Sequence, residues 1–373
     1  MIIRTLTCHD VYNYGASLQA FALQRYLHDQ GHDVKIIDYK PNYLSFKYRL
    51  SWFINDKSPY YKKCNRNKFY HLLYIIKRYI TDLKTIGRKY SFEKFNNKFL
   101  KLTNKYNSYI ELCKTPPEAD VYIVGSDQVW NNKPLDNGWD PAFFLNFGTS
   151  HVKRISYAAS FGSTIECPWI MSKWMQCLNA ISVRESKSLN LLQSYEIKGN
   201  VVCDPVFLLS KTDWYNQLEL DFSGEPYVLV YNLSGNNNKL LNDAKQIAKK
   251  LNCEIHNIVV AHHIKGVTNI KNADPREFVK EIAGASFVLS DSFHATVFSI
   301  IFKKQFFSYI FKNMQASDRI YSLLDKFDMI QRFEPDIKAY TMPIDYDYNG
   351  KVSKTLRNYI SESKFWLNKQ LND

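Results

Sequence analysis

The residues best equipped for chemistry gather where short apolar runs end and helix-starting stretches begin. Four such junctions stand out: Asn13-Tyr14-Gly15-Ala16-Ser17, Gly125-Ser126-Asp127-Gln128-Val129-Trp130, Ser156-Tyr157-Ala158-Ala159-Ser160-Phe161-Gly162 and Ser290-Asp291-Ser292-Phe293-His294. A strand end that meets a helix start presents backbone N–H groups and the positive end of the helix dipole, and both favour anions. In the last junction Asp291 or Ser292 is placed to cap the helix, and His294 falls in its first turn, where an imidazole reaches a bound anion as acid or phosphate ligand. The same residues describe a histidine satisfied by hydrogen bonds under a cap. Asp127 stands where a general base would, and equally where an N-cap would. Arg184, in Ile181-Ser182-Val183-Arg184-Glu185-Ser186, offers a fork for a carboxylate or phosphate, or a local pair with Glu185 or another acid. His256, His262 and His263 lie close in sequence, yet no carboxylate sits at ligand spacing, so no metal site is expected. No G-x-G-x-x-G, P-loop or H-E-x-x-H is present.

The elements needed to hold these junctions are legible as alternation. Residues 2–7 read as a strand, Ala16 to Gln30 as a helix stopped by Gly31, and Val34 to Tyr39 as a second strand, which makes a β-α-β unit. Helices are expected at Tyr70–Ile86 and Tyr90–Leu102, forming an inserted hairpin that Pro116-Pro117 ends. Strands follow at Val121–Val124, Arg154–Ala158 and Val201–Cys203. Near Phe222-Ser223-Gly224-Glu225-Pro226 the composition turns loop-like, and a second alternation begins. Its strands are expected at 227–231, 255–260, 287–289 and 306–310, with helices at 239–251, 274–283 and 295–302. The fold class is therefore α/β: two Rossmann-like domains over 1–222 and 223–373, the first carrying a basic helical insertion at 41–110 and the second ending in a helix.

A chain of 373 residues suits about two domains, and 45% hydrophobic with 23% charged residues excludes a disordered or fibrous chain. No run is long and apolar enough for a transmembrane span, and no signal-peptide pattern opens the chain, so an intracellular location is expected. Seven scattered cysteines without a C-x-x-C pair indicate neither a disulfide framework nor a zinc knuckle. The net charge of +13 is localised. Residues 41–110 hold 16 Lys and Arg against Asp56, Asp82 and Glu93, and the rest of the chain carries 33 of each sign. The same segment includes Trp52-Phe53, Tyr60-Tyr61 and Phe69-Tyr70. A basic, aromatic segment fits nucleic acid, an anionic membrane surface, an acidic ligand or a solvated helix face.

Taken in order, N-Y-G-A-S-L-Q-A-F-A-L (13–23), V-G-S-D-Q-V-W-N (124–131), S-Y-A-A-S-F-G (156–162), S-V-R-E-S (182–186), D-P-V-F-L-L (204–209) and S-D-S-F-H-A-T-V-F-S-I-I-F (290–302) resemble the polysaccharide pyruvyl transferase family. That family moves pyruvate from phosphoenolpyruvate onto a sugar as a ketal. Each landmark alone is weak, whereas six in order are specific. The resemblance implies two Rossmann-like domains facing across a cleft, of the GT-B kind, with the acceptor on the first and the donor on the second. In the family an Arg in a V-R-E/D element and an Arg-x-His element at the start of a late helix are associated with donor binding. Arg184 matches the first and His294 the histidine of the second, while Ser292 stands where the family has arginine. A serine hydroxyl replaces a bidentate cation there, and Lys303, Lys304 and Arg319 are the candidates to supply the missing charge.

The roles implied are His294 for the phosphate or as acid, Arg184 for the donor carboxylate or phosphate, and Asp127 for an acceptor hydroxyl. Asn13, Gly15, Ser126 and Gln128 would shape the sugar side. Phosphoenolpyruvate is then a co-substrate, with no metal or cofactor and no nucleic acid. The acceptor would be a lipid-linked or nucleotide-linked saccharide, and the basic segment a docking surface at the cytoplasmic face of the membrane. The rival readings are a glycosyltransferase using a nucleotide sugar, because the same cleft serves both chemistries, and a non-catalytic polysaccharide- or nucleic-acid-binding protein.

Overall fold

Short apolar runs such as Val121-Tyr122-Ile123-Val124 and Tyr227-Val228-Leu229-Val230-Tyr231 form strands buried on both faces, which is why they do not alternate with polar residues. The structure is a computed structural model that describes residues 1–41, 44, 60–131, 140–162, 169–221, 224–259, 263–340 and 350–372. The chain forms two compact units, Met1–Asp204 with Leu367–Asp373, and Pro205–Trp366.

The first unit is built on a parallel sheet of β1 (Ile2–Leu6), β2 (Asp33–Tyr39), β3 (Leu102–Tyr106), β4 (Val121–Val124), β5 (Lys153–Ala159), β6 (Ala180–Val183) and β7 (Asn200–Val201), in the order β3-β2-β1-β4-β5-β6-β7. The chain moves outward to β2 on one side of β1 and to β4 on the other, so a topological switch point lies between β1 and β4. In such sheets ligands bind beyond the carboxyl ends of the strands flanking that point. The register pairs Leu6 with Val124 and Val124 with Ser156, which brings these strand ends level. Helix α1 (Tyr14–Asp29) follows β1. Asn13 caps it by accepting the N–H of Ala16 at 3.3 Å, and Gly31, at φ +87°, turns the chain into β2.

Two expectations for the basic segment are corrected. In place of a helical hairpin, a short helix α2 (Tyr61–Arg66) precedes one unbroken helix α3 (Lys68–Phe99) of 32 residues. The helix runs through Gly87, at a propensity cost of about 1 kcal/mol, because its second half is anchored. Phe92 and Phe95 are fully buried, with Phe92 at 5.0 Å from the Tyr14 ring and Phe95 and Phe99 near Phe21. The segment is also not purely an insertion, since it contains β3, an edge strand parallel to β2. Its Leu-Thr-Asn-Lys-Tyr sequence is polar because an edge strand is only half buried. Trp52-Phe53 lies outside the described residues. The remaining helices of this unit are α4 (Tyr109–Lys114), α5 (Trp169–Met175) and α6 (Ser186–Gln193).

The second unit repeats the plan with β8 (Tyr227–Tyr231), β9 (Glu254–Ile258), β10 (Thr268–Ile270), β11 (Phe287–Ser290) and β12 (Gln305–Ser308), all parallel, in the order β10-β9-β8-β11-β12. Its helices are α7 (Lys211–Gln217), α8 (Asn238–Leu251), α9 (Pro275–Gly284), α10 (Phe293–Ile301), α11 (Met314–Lys326) and α12 (Lys351–Asn372). The units divide at Asp204/Pro205, ahead of the loop-like composition at 222–226. Residues 205–221 pack into the second unit: Phe207 meets Phe327, Trp214 meets Phe298 at 5.0 Å, and Arg276 donates to the carbonyls of Leu218 and Glu219. The last turns of α12 belong to the first unit, where Leu367 is fully buried and the Tyr26 hydroxyl donates to Asn368 at 3.2 Å.

Candidate functional site

In the first unit the residues singled out from the sequence meet at the carboxyl ends of β4, β5 and β6. Gly125, at φ +111°, lets β4 pass against β5: a Cβ there would lie 2.3 Å from the carbonyl oxygen of Tyr157. Asp127 follows in the left-handed region at φ +67° and accepts the N–H of Ser160 on its carbonyl at 3.0 Å. It caps no helix. Its carboxylate, about a fifth exposed, faces the Arg184 guanidinium at 3.6 Å.

Arg184 itself is buried among three acids, with Asp204 at 2.7 Å and Glu185 and Asp127 each at 3.6 Å. Burial alone would lower its pKa, but the charges of Asp204, Glu185 and Asp127 outweigh burial and hold the guanidinium more firmly protonated than usual. The pairing with Glu185 and other acids is thus the arrangement present, and its fork is turned to carboxylates of its own unit. Ser126 is fully buried. Its N–H donates to Gln19, its hydroxyl donates to the Ala158 carbonyl at 2.8 Å, and its carbonyl accepts from Thr7. Ser126 therefore knits β1, β4, β5 and α1 together rather than facing outward. Gln128 is half-buried and accepts from Asn131 at 2.8 Å. Asn13 is exposed at the α1 cap, and Gly15 is buried in the first turn behind it.

Two groups at this rim escaped sequence reasoning. Asp204 was visible only as the first letter of D-P-V-F-L-L. The other group follows β1 and β2: buried His9 contacts Asp38 at 2.9 Å, and Lys40 lies 3.1 Å from Asp38 and 3.6 Å from Asp10. Burial would raise the Asp38 carboxyl, but the His9 hydrogen bond and charge, with Lys40, carry it below the ordinary carboxylate range.

In the second unit the matching rim lies beyond β8 and β11, which flank that sheet's switch point. Asp291, one of the two residues placed to cap the helix, does other work. Its carboxylate accepts the backbone N–H groups of Leu233 at 2.6 Å and Ser234 at 3.0 Å, pinning the loop after β8, while burial pushes its pKa up. Ser292 is the N-cap by position, with no capping bond from its side chain. Its carbonyl accepts from the N–H and hydroxyl of Thr296. His294 lies in the first turn of α10, largely buried, with its ring edge-on to Phe293 at 5.2 Å. The Arg319 guanidinium sits 5.7 Å from the same Phe293 ring.

Lys303 and Lys304 are elsewhere. They follow the far end of α10 and precede β12, whose first residue, Gln305, pairs with Phe287 at the start of β11. His294 instead follows Ser290, which pairs with Ser308 at the end of β12. The two lysines thus lie at the opposite edge of the sheet and cannot stand in for an arginine at 292. Arg319 shares an aromatic contact with the start of α10. His256 stacks on Tyr227 and pairs with Glu281 at 3.0 Å, and His262 lies outside the described residues. Among the described residues no cluster of three or more His, Cys, Asp or Glu is arranged to hold a metal ion.

The polysaccharide pyruvyl transferase family model matches residues 13–311, from the α1 cap past the end of β12. The chain belongs to that family. Asp127 and His294, both within the match, follow the fourth strand of their respective sheets, one in each unit. No curated protein matches the chain. Among solved structures it is similar to UDP-GlcNAc 2-epimerase from Methanocaldococcus jannaschii, at 13% identity and a TM-score of 0.47, covering 96% of this chain and 93% of that one. It is also similar to UDP-GlcNAc 2-epimerase from Neisseria meningitidis bound to UDP-GlcNAc, at 11% identity and a TM-score of 0.47 over the whole of both chains. The glycosyltransferase SnogD from Streptomyces nogalater is similar at 8% identity and a TM-score of 0.42, covering 98% and 95%.

Proposed function

We propose that this member of the family transfers pyruvate from phosphoenolpyruvate to a sugar of a polysaccharide precursor, forming a ketal with two of its hydroxyls. The reading is carried by the family match over residues 13–311, which takes in both switch-point rims. Protonation of the methylene carbon of phosphoenolpyruvate creates an oxocarbenium-like centre. One sugar hydroxyl adds and loses its proton, inorganic phosphate leaves, and the second hydroxyl closes the ring as it gives up its own proton. His294 is assigned to the donor, as acid or phosphate ligand, with Arg319 as the cation that compensates for Ser292. Asp127 is assigned to an acceptor hydroxyl. Arg184 holds Asp127 in place, and any contact of its own with the donor requires it to exchange a carboxylate for the incoming anion.

The test is to incubate the protein with phosphoenolpyruvate and candidate oligosaccharides, following inorganic phosphate by phosphorus NMR and the ketal methyl group by proton NMR. Acceptor-dependent appearance of both supports the assignment. Turnover of a UDP-, GDP- or CMP-sugar with phosphoenolpyruvate left untouched would overturn it in favour of glycosyl transfer.

A further inference from the structure

The two halves of α3 have opposite surroundings. From Gly87 onward the helix is docked: Phe92 and Phe95 are buried, and Arg88 lies over the Tyr14 and Phe92 rings and donates to the Tyr12 carbonyl. From Lys68 to Ile80 one face of it is apolar and exposed. Phe69, Leu72, Leu73, Ile76, Tyr79 and Ile80 each expose between 45 and 64% of their surface. They recur at i, i+3, i+4, i+7, i+10 and i+11, which places them in one stripe along the helix. The adjoining face is taken by α2, through the Tyr60–Tyr74 ring contact at 5.7 Å and the Cys64 thiol near the Tyr70 carbonyl. The stripe therefore looks away from the element packed beside it.

Its charge decides what it fits. Between Tyr60 and Ile80 there are six cations, Lys62, Lys63, Arg66, Lys68, Lys77 and Arg78, and no Asp or Glu. An apolar stripe of about three turns, flanked only by cations, complements the boundary between anionic head groups and acyl chains, with the rings and aliphatic side chains entering and the ammonium groups remaining at the head-group level. The helix does not qualify as a membrane span: among the described residues none is long and apolar enough to cross.

We infer that the segment Tyr60–Ile80 is a membrane-contact element that lies in the plane of an anionic lipid surface and inserts the stripe Phe69, Leu72, Leu73, Ile76, Tyr79 and Ile80. This is independent of the reaction proposed above, because its test contains neither donor nor acceptor. The protein is sedimented with sucrose-loaded vesicles of phosphatidylcholine alone or mixed equally with phosphatidylglycerol, at low and high salt. The wild type binds the anionic vesicles, and salt weakens that binding. Replacement of Leu72, Ile76, Tyr79 and Ile80 by serine reduces binding at least about tenfold, as does replacement of Lys62, Lys63, Arg66 and Lys68 by glutamine. The second variant alters only exposed side chains, so it remains decisive if the first fails to fold. Equal binding to both vesicle types, or binding by either folded variant at the wild-type level, would overturn the inference. So would self-association in sedimentation velocity that the apolar variant abolishes while no vesicle binding is seen, since the stripe would then be a contact between copies.

Discussion

One guanidinium faces three carboxylates at Arg184, and Asp204 beneath it has no exposed side-chain surface. Removing the cation strands a buried negative charge, which costs about 3–5 kcal/mol. Arg184→Met should therefore lower the thermal midpoint measured by calorimetry, and adding Asp204→Asn should restore part of the loss. An unchanged midpoint would show that the cluster does not hold this rim together. At the other rim, Arg319→Ala should weaken the donor about 10- to 100-fold, the value of one charge-assisted contact of roughly 1.5–3 kcal/mol, while Lys303→Ala leaves it unchanged. Titration calorimetry with phosphoenolpyruvate compares the two. Asp38 supplies a pH signature. Its folded pKa lies below its unfolded value near ~3.9, so the unfolded state binds more protons in that window and stability falls as pH drops through it. The wild-type midpoint should fall more steeply below about pH 4 than that of Asp38→Asn. A strand end before a helix start has a local signature, and by it sequence reading singled out His294, in the first turn of α10; it singled out Asp127 by the same signature, although no helix begins there. It allowed Arg184 an acidic partner but named neither Asp204, 20 residues on, nor the His9–Asp38 pair, 29 residues apart, because such pairings exist only once parallel strands lie side by side.

Among the elements, β4 depends on the glycine that follows it, Gly125. Gly125→Ala combines a disfavoured backbone with a contact of 2.3 Å to the Tyr157 carbonyl, and it should fail to fold or melt far below wild type. Lys304, at the amino edge of the second sheet, is pushed by burial, and by repulsion from Lys211, down to about 8. A lysine with a depressed folded pKa binds fewer protons in the native state than in the unfolded state. Stability therefore rises with pH between about 8 and the ordinary value near ~10.4. Lys304→Met should remove that rise and stabilise the protein at pH 7 by on the order of 1–2 kcal/mol after solvent screening, as read from midpoints across that range. Strands such as β4 and β8 were legible because their residues are apolar without interruption. Strand β3 was not, because an edge strand needs only half its residues apolar, and Leu102-Thr103-Asn104-Lys105-Tyr106 reads as loop. The join across Gly87 was hidden for a different reason: local propensity argues for a break, and only the docking of Phe92 and Phe95 on α1 overrides it.

For the molecule as a whole, two parallel sheets were foreseeable from the alternation of strands and helices, whereas the place where the units part was not. Composition changes near 222, yet Trp214 and Phe207 pack with residues more than eighty positions later, and nothing local announces such a contact. Nor does anything local say that a helix ending far downstream belongs to the first unit. Truncation after Trp366 removes buried Leu367 and Leu371, worth about 1.5–3 kcal/mol each. It should lower the first unit's unfolding transition, and limited proteolysis should then cut within residues 1–204 before it cuts the second unit. The return of α12 to the first unit also bears on synthesis. As the chain leaves the ribosome, everything the second unit needs has emerged before the last strip of the first, so the amino-terminal unit is begun first and finished last. Until Leu367 and Leu371 arrive, it must wait as an incomplete core, which makes the nascent protein most exposed to chaperones and proteases in the half that was made earliest.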